Sequence, residues 1–319
     1  MTFSAVAILF PGQGSQSKGM LTALAATEPL VLSTFAEGSV ALGYDLWKLV
    51  SDGPEDQLNT TEFTQPAMLA AGIAIWRVWC ERGGVRPDVL SGHSLGEFTA
   101  LVAAQALDFG AALDLVRHRG QLMQTAVPQG EGAMAAVLGM DDEALEQVCR
   151  EAAQGEVVEA VNFNAPGQVV IAGQSTAVTR AIELAKSRGA KRAVLLPVSV
   201  PSHSSLMNDA AQQLGERLKS MNFSKPVIPY WSAVDCVAHS DPDDIRQTLV
   251  QQLASPVRWS KLIKALTATG IRSFVECGPG KVLTGVNKRI EKNPDLQYFA
   301  VDDPTNIAAA IAATVNTNV

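Results

Sequence analysis

Cysteine is scarce in this chain, with four in 319 residues, and Cys80, Cys149, Cys236 and Cys277 stand far apart. Thiols so scattered build no disulfide framework and lack the close spacing that metal ligation uses, so they read as reduced and mostly buried. Basic residues are outnumbered: 25 Lys and Arg face 32 Asp and Glu, a net charge of −7 that argues against nucleic acid or an anionic membrane as the main partner. Long apolar runs are missing too. The most apolar stretch, Met68 to Cys80, is broken by Arg77 and is too short to span a bilayer. The opening Met1 to Phe10 has neither a basic segment nor a small-residue cleavage site and reads as a first strand, so the expected location is the cytoplasm. Histidine is the last rarity, and with four of them the search for a general base is confined to His93, His118, His203 and His239. What is present is a hydrophobic content of 47%, enough for a substantial core in one large domain with an insertion or in two domains.

The most informative stretch is Gly92-His93-Ser94-Leu95-Gly96. Pro87 to Ser91 before it reads as a short buried strand and Leu95 to Ala104 after it as a helix, the strand, sharp turn and helix that a G-x-S-x-G nucleophile elbow requires. The glycines permit a bend that a Cβ would obstruct, and the bend exposes the Ser94 hydroxyl at a helix N-terminus, where unpaired N–H groups face any oxyanion formed.

Around the elbow the chain reads as an α/β protein. Thr64-Gln65-Pro66 is expected to start one helix, with Thr64 as its cap, and Asp108 to cap another through Leu113, Val116, Arg119 and Met123. From Gly132 the rhythm changes to strand (Ala133 to Leu138), helix from Asp141, strand (Val157 to Phe163), strand (Gln168 to Ala172), helix (Ser175 to Ser187) and strand (Arg192 to Leu196). That β-α-β-β-α-β order predicts an inserted ferredoxin-like subdomain over 129–199, with Asn164 to Gly167 as its hairpin turn. Residues 1–128 and 200–319 then form a larger subdomain with a parallel sheet. Its second part is expected to alternate helices (Ser204 to Leu218, Asp243 to Leu253, Ser260 to Ala268, Lys281 to Ile290, Asn306 to Ala313) with strands at Val227 to Tyr230, Ser273 to Cys277 and Tyr298 to Val301.

A serine hydroxyl needs a base, most often histidine. His93 inside the elbow should point away from Ser94, His118 falls on a helix and His239 in a polar stretch. His203 sits in Val200-Pro201-Ser202-His203, a rigid loop of the kind that holds functional side chains. Two glycine-rich pieces invite a nucleotide reading and fail it. Gly12-Gln13-Gly14 lacks the third glycine of a dinucleotide fingerprint, and Gly280-Lys281 has Val275 and Val282 where a phosphate loop has Gly and Ser or Thr. Both read as tight turns.

Taken in order, Phe10-Pro11-Gly12-Gln13-Gly14-Ser15-Gln16, Gly92 to Glu97, Arg119-Gly120 with Met123-Gln124, Gly132 to Ala136, Asn162-Phe163-Asn164, Pro166 to Val170, Val200 to His203 and Gly278 to Leu283 run the length of the chain. In this series it closely resembles the malonyl-coenzyme A:acyl carrier protein transacylases of bacterial type II fatty acid synthesis. The resemblance implies an α/β-hydrolase-like large subdomain carrying the ferredoxin-like insertion. It further implies Ser94 as the acyl-accepting nucleophile, His203 as its base, and the Gln252 backbone carbonyl as the group that orients His203. Gln13 and Leu95 would supply the oxyanion-hole N–H groups, Arg119 would hold the malonyl carboxylate, and Asn164 would lie beside the cleft. Because only the Gln252 carbonyl is implicated, Gln252→Ala is expected to be mild. Arg117, two residues from Arg119, should face nearly the opposite side of the helix.

The activity so implied is malonyl transfer from malonyl-coenzyme A to acyl carrier protein through a malonyl-serine, with no metal or other cofactor. Lys191, Arg192, Lys281, Lys288 and Arg289 are the candidate docking cations for that acidic carrier. Two other readings remain open on the sequence, a serine hydrolase on the same elbow and a catalytically silent carrier-docking module. The hydrolase would show Ser, an acid and His in chain order.

Overall fold

In the computed structural model, which describes residues 5–316, two sheets organise the chain. The larger has six strands in the order β10-β9-β1-β2-β7-β8. These are β1 (Val6–Phe10), β2 (Val89–Gly92), β7 (Tyr230–Trp231), β8 (Ala238–His239), β9 (Ser273–Glu276) and β10 (Gln297–Ala300). All neighbours are parallel except β8, which runs antiparallel to β7 at one edge. Every residue of β1, β2 and β9 is buried, as befits central parallel strands covered on both faces, and this explains why Val6-Ala7-Ile8-Leu9-Phe10 shows no polar alternation. The residues Met1 to Ser4, which the sequence reading included in the first strand, lie outside the described residues.

Register decides where chemistry can sit. Phe10 is opposite Gly92 and Leu9 is opposite Glu276, so the loops after β1, β2 and β9 leave the sheet along one edge. The carboxyl ends of parallel strands are where such folds build sites.

The second sheet has the order β4-β5-β3-β6, entirely antiparallel: β3 (Gly132–Leu138), β4 (Val158–Ala165), β5 (Gln168–Gln174) and β6 (Arg192–Leu195). The helices Asp142–Ala153 and Ser175–Ser187 pack Leu145, Val148, Val178 and Ile182 onto one of its faces. With its crossover connections this is the ferredoxin-like arrangement expected from the alternation of elements. On the opposite face Met134, Val161, Val170 and Ala172 form a separate cluster with Leu196 and Val198 packed against it.

Several local expectations need correction. Thr64 does not start a helix: the helix spans Thr61–Glu81 with Pro66 inside it. Pro66 is the sixth helical residue, past the first turn, so it removes one i→i−4 hydrogen bond, and the Thr64 hydroxyl donates back to the Leu58 and Thr60 carbonyls. Asn164 belongs to β4 and not to the hairpin turn, which narrows to Pro166-Gly167, with Gly167 at φ 68°. The segment after His203 begins with a single 3-10 turn, Ser205–Met207, before the helix Asn208–Lys219. A two-residue strand such as β8 leaves no periodicity to read, and it went unpredicted.

Candidate active site

The elbow is built by close approach as much as by turn preference. A Cβ on Gly92 would lie 1.9 Å from the Gly96 carbonyl carbon, and one on Gly96 2.0 Å from the Phe10 carbonyl oxygen. Neither position tolerates a side chain. Between them Ser94 adopts φ 51°, in the left-handed region, which costs a non-glycine residue on the order of 1 kcal/mol. The N–H groups of Gly96, Glu97 and Phe98 are taken by the carbonyls of His93, Ser94 and Leu95. Leu95 caps the helix Gly96–Ala103, so its N–H stands at the positive end of that helix.

His203 also lies in the left-handed region, at φ 67°, and only 3% of it is exposed. Its Nδ1 is 2.8 Å from the Gln252 carbonyl oxygen and its Nε2 is 2.8 Å from Ser94 Oγ. A carbonyl can only accept, so Nδ1 carries the hydrogen. Nε2 is thereby left with a lone pair directed at the serine hydroxyl, which donates to it. Burial first, and the positive charge of Arg119 next, push His203 down to about 3. The imidazole is therefore neutral, and able to accept a proton, across the physiological range.

Arg119 comes from the helix Phe109–Thr125, capped by the Asp108 side chain as the sequence indicates. It is 1% exposed. Its Nη1 donates to Gln65 Oε1 at 2.9 Å, and its Nη2 to Gln252 Oε1 at 3.0 Å and to Ser94 Oγ at 3.2 Å. These partners are all uncharged, and Nε, also buried, has no partner. Burial draws the guanidinium down to about 10, with Glu97 opposing the shift, so it keeps its charge at neutral pH. A desolvated cation next to a hydroxyl that donates to an imidazole, with an N–H to spare, has the chemistry to receive a carboxylate. Arg117 turns away as expected and binds Asp114 and the Leu42 carbonyl.

These groups meet in a cavity of about 500 Å³ lined by Gln13, Ser94, Leu95, Arg119 and His203, and also by Met134 of β3 and by Leu196 and Val198, which follow β6. The Gln13 side chain is tied back to Thr61 Oγ1 at 3.2 Å. Asn164 is set one step behind: its Oδ1 accepts from His93 Nε2 at 2.9 Å, and the residue lining the cavity is Asn162. His93 points away from Ser94 toward Asn164 and the Trp259 ring, as expected. His239 pairs with Asp235, and His118 lies in a separate surface hollow with Arg217. Lys191, Arg192, Lys281, Lys288 and Arg289 are all exposed, and Arg289 donates to Gln168 of β5.

Sequence reasoning missed three contributors. Gln65 and the Gln252 side chain cradle Arg119, and Gln252 Nε2 also donates to the Ser94 carbonyl at 2.9 Å. Glu97 is fully buried, and burial pushes it up to about 7. It accepts from the Tyr230 hydroxyl and, at 2.9 Å, from the Ala233 N–H. A lone charged residue in the stretch Gly96 to Ala103 was the available signal. Among the described residues no group of three or more His, Cys, Asp or Glu is placed to hold a metal ion, and no helix is long and apolar enough to cross a membrane.

The acyl transferase domain family model matches residues 8–303. The malonyl CoA-acyl carrier protein transacylase of Escherichia coli K12 is 51% identical over 305 residues, spanning 96% of this chain and 98% of the relative. An acyl carrier protein S-malonyltransferase from Vibrio cholerae is 55% identical and superposes with a TM-score of 0.93, over 96% of this chain and 99% of that one. A malonyl-transacylase solved in complex with a type II PKS acyl-carrier protein is 50% identical with a TM-score of 0.95, over 97% of this chain and 99% of that one. Half of all positions shared along nearly the full length of both chains leaves one assignment: the chain belongs to the acyl transferase family, among its malonyl-CoA–acyl carrier protein transacylases.

Proposed function

We propose that this protein is a cytoplasmic malonyltransferase that moves the malonyl group from malonyl-coenzyme A to the phosphopantetheine thiol of acyl carrier protein. The observation that carries the reading is Arg119, a buried guanidinium with uncharged partners and an unpartnered Nε, within hydrogen-bond reach of the hydroxyl that His203 activates. Ser94 Oγ attacks the thioester carbon while its proton passes to His203 Nε2, and the resulting oxyanion is received by the Gln13 and Leu95 N–H groups. The carbon–sulfur bond breaks, His203 returns the proton to the coenzyme A sulfur, and a malonyl-Ser94 ester remains. The carrier thiol then gives its proton to His203, attacks the ester and releases Ser94 by the same route reversed. No atom changes oxidation state, and the cycle calls for no cofactor. Residues 129–199 act as an inserted subdomain that closes the acyl pocket, and Asn164 serves the site through His93.

Intact mass after mixing with malonyl-coenzyme A tests this reading. A malonyl adduct that persists until holo acyl carrier protein is added, and then moves to the carrier, is the expected result. An adduct lost to water at the same rate without carrier would make the protein a hydrolase, and no adduct at all would make it inert.

Two further outcomes are expected of the site. Gln252→Ala, expected from sequence to be mild, removes two hydrogen bonds, one buried and made to a charged group, the other half-buried. The expected loss in malonyl transfer is roughly 10- to 100-fold, and it should exceed the loss in acetyl transfer when kcat/KM is measured for both thioesters. A change under about threefold would return the role to the backbone carbonyl alone. The second concerns pH. His203 has its folded pKa below the ordinary value, so the unfolded chain takes up the proton first. Its contribution to stability is complete above about 6.5 and is lost as pH falls toward the folded value. In Glu97→Gln enzyme, which lacks the other buried group near 7, acylation by the folded protein should therefore show no inflection between about pH 8 and 5.5. An inflection near 6.5 in rapid-quench rates would mean that the imidazole is solvated.

A further inference from the structure

Strand β4 belongs to the smaller sheet, yet it is bonded to three segments that lie outside that sheet, around the site. Near its start, the Glu159 carboxylate accepts from the Ser205 N–H at 2.7 Å through Oε2 and from the Ser205 hydroxyl at 2.8 Å through Oε1. At its middle, Asn162 forms a parallel bridge with Val257: the Val257 N–H donates to the Val161 carbonyl at 2.8 Å and the Phe163 N–H to the Val257 carbonyl at 2.9 Å. At its end, Asn164 accepts from His93. Ser205 is two residues after the proposed base, Val257 five residues after the carbonyl that orients it, and His93 immediately before the nucleophile. Breaks in the β4–β5 register fall between Ala160 and Asn162 and between Phe163 and Ala165. At those irregularities β4 departs from regular pairing with β5, in the same stretch that carries the Val257 bridge and Asn164.

We propose that β4 sets the mutual placement of Ser94, Gln252 and His203, and that Glu159 is the positioning residue for His203. The His203 loop has particular need of an external hold. Its backbone is in the left-handed region, and it is followed by a single 3-10 turn that cannot fix the imidazole alone. Glu159 grips that turn by both its N–H and its hydroxyl, a two-point contact that fixes direction as well as distance. It touches neither the cavity nor Ser94, and it acts through Ser205.

The inference rests on His203 being the base, and the experiment separates the two. Malonyl-enzyme formation is followed by rapid quench in wild type, Glu159→Ala, Glu159→Gln, His203→Ala and the Glu159→Ala/His203→Ala double variant. Glu159→Ala should slow acylation about 10- to 100-fold with little change in KM for malonyl-coenzyme A. Glu159→Gln should recover most of the rate, because its oxygen can accept from the Ser205 N–H and its amide can donate to the Ser205 hydroxyl. In the His203→Ala background Glu159→Ala should cause no further loss, since a residue that acts only by placing the imidazole has nothing left to place. A merely structural residue would instead give multiplying losses in the double variant. Multiplying losses, a glutamine variant no better than alanine, or unchanged acylation in Glu159→Ala would each overturn the proposal. Normal acylation by His203→Ala would remove the base assignment, and this inference with it. Should Glu159→Ala fail to fold, Ser205→Ala breaks the hydroxyl half of the contact alone, and it should show a smaller loss that likewise vanishes without His203.

Discussion

Replacing Ser94 by alanine is expected to abolish the malonyl adduct and to reduce transfer to background. The mutation removes the hydroxyl's contacts to His203 and Arg119 but leaves Gly92, Gly96 and the backbone hydrogen bonds of the elbow in place, so the fold should survive. The elbow holds one side chain at the position that His203 Nε2 addresses from 2.8 Å, and methyl carbon cannot accept an acyl group. The free cysteines offer no substitute: Cys149, Cys236 and Cys277 are buried, and burial raises all four thiols above their ordinary value, away from the thiolate form. Intact mass of the Ser94→Ala protein after exposure to malonyl-coenzyme A decides the matter, and an adduct mapped to any other residue would refute the mechanism.

The second large effect is expected at Arg119, where alanine should divide malonyl from acetyl chemistry. The malonyl carboxylate must shed water to enter the cavity, and a desolvated guanidinium with a spare N–H offsets that cost. Truncating one member of a buried, hydrogen-bonded charge pair costs roughly 2 to 5 kcal/mol, which is about 30-fold to several thousand-fold in malonyl kcat/KM. Acetyl-coenzyme A has no carboxylate, and for it the mutation removes a buried cation whose hydrogen-bond partners are all neutral, beside Ser94. Acetyl transfer should hold steady or improve. Arg117→Ala is the matched control, because Arg117 already spends its donors on Asp114 and Leu42. Parallel decline of both substrates in Arg119→Ala, or a specificity change produced by Arg117→Ala, would disprove the carboxylate clamp.

The elbow and the fold class were readable in the sequence because both leave local signals. The elbow is a five-residue motif with a strand before it and a helix behind it, and the second sheet announces itself by alternating elements between Gly132 and Leu196. His203 emerged from loop context, and its pairing with Gln252 was supplied by resemblance. What stayed hidden is contact between distant positions. Arg119 meets Gln65 across 54 residues of sequence, Glu97 meets Tyr230 across 133, and Glu159 meets Ser205 across 46. No periodicity encodes such pairs, since a polar residue on a helix or strand reads the same whether it faces water or a partner. The side chain of Gln252 was overlooked for a related reason. A residue given one role through its backbone offered nothing in the sequence to indicate a second role through its amide.

Ser94 and His203 share an uncommon property: both hang from left-handed backbone, at φ 51° and 67°. Glycine is the residue that relaxes such a conformation, and having no side chain it can supply neither a hydroxyl nor an imidazole. A laboratory selection for thermal tolerance and a selection for turnover would thus pull these two positions toward opposite outcomes. Libraries that aim to toughen this enzyme should hold both fixed and seek their gains elsewhere in the chain.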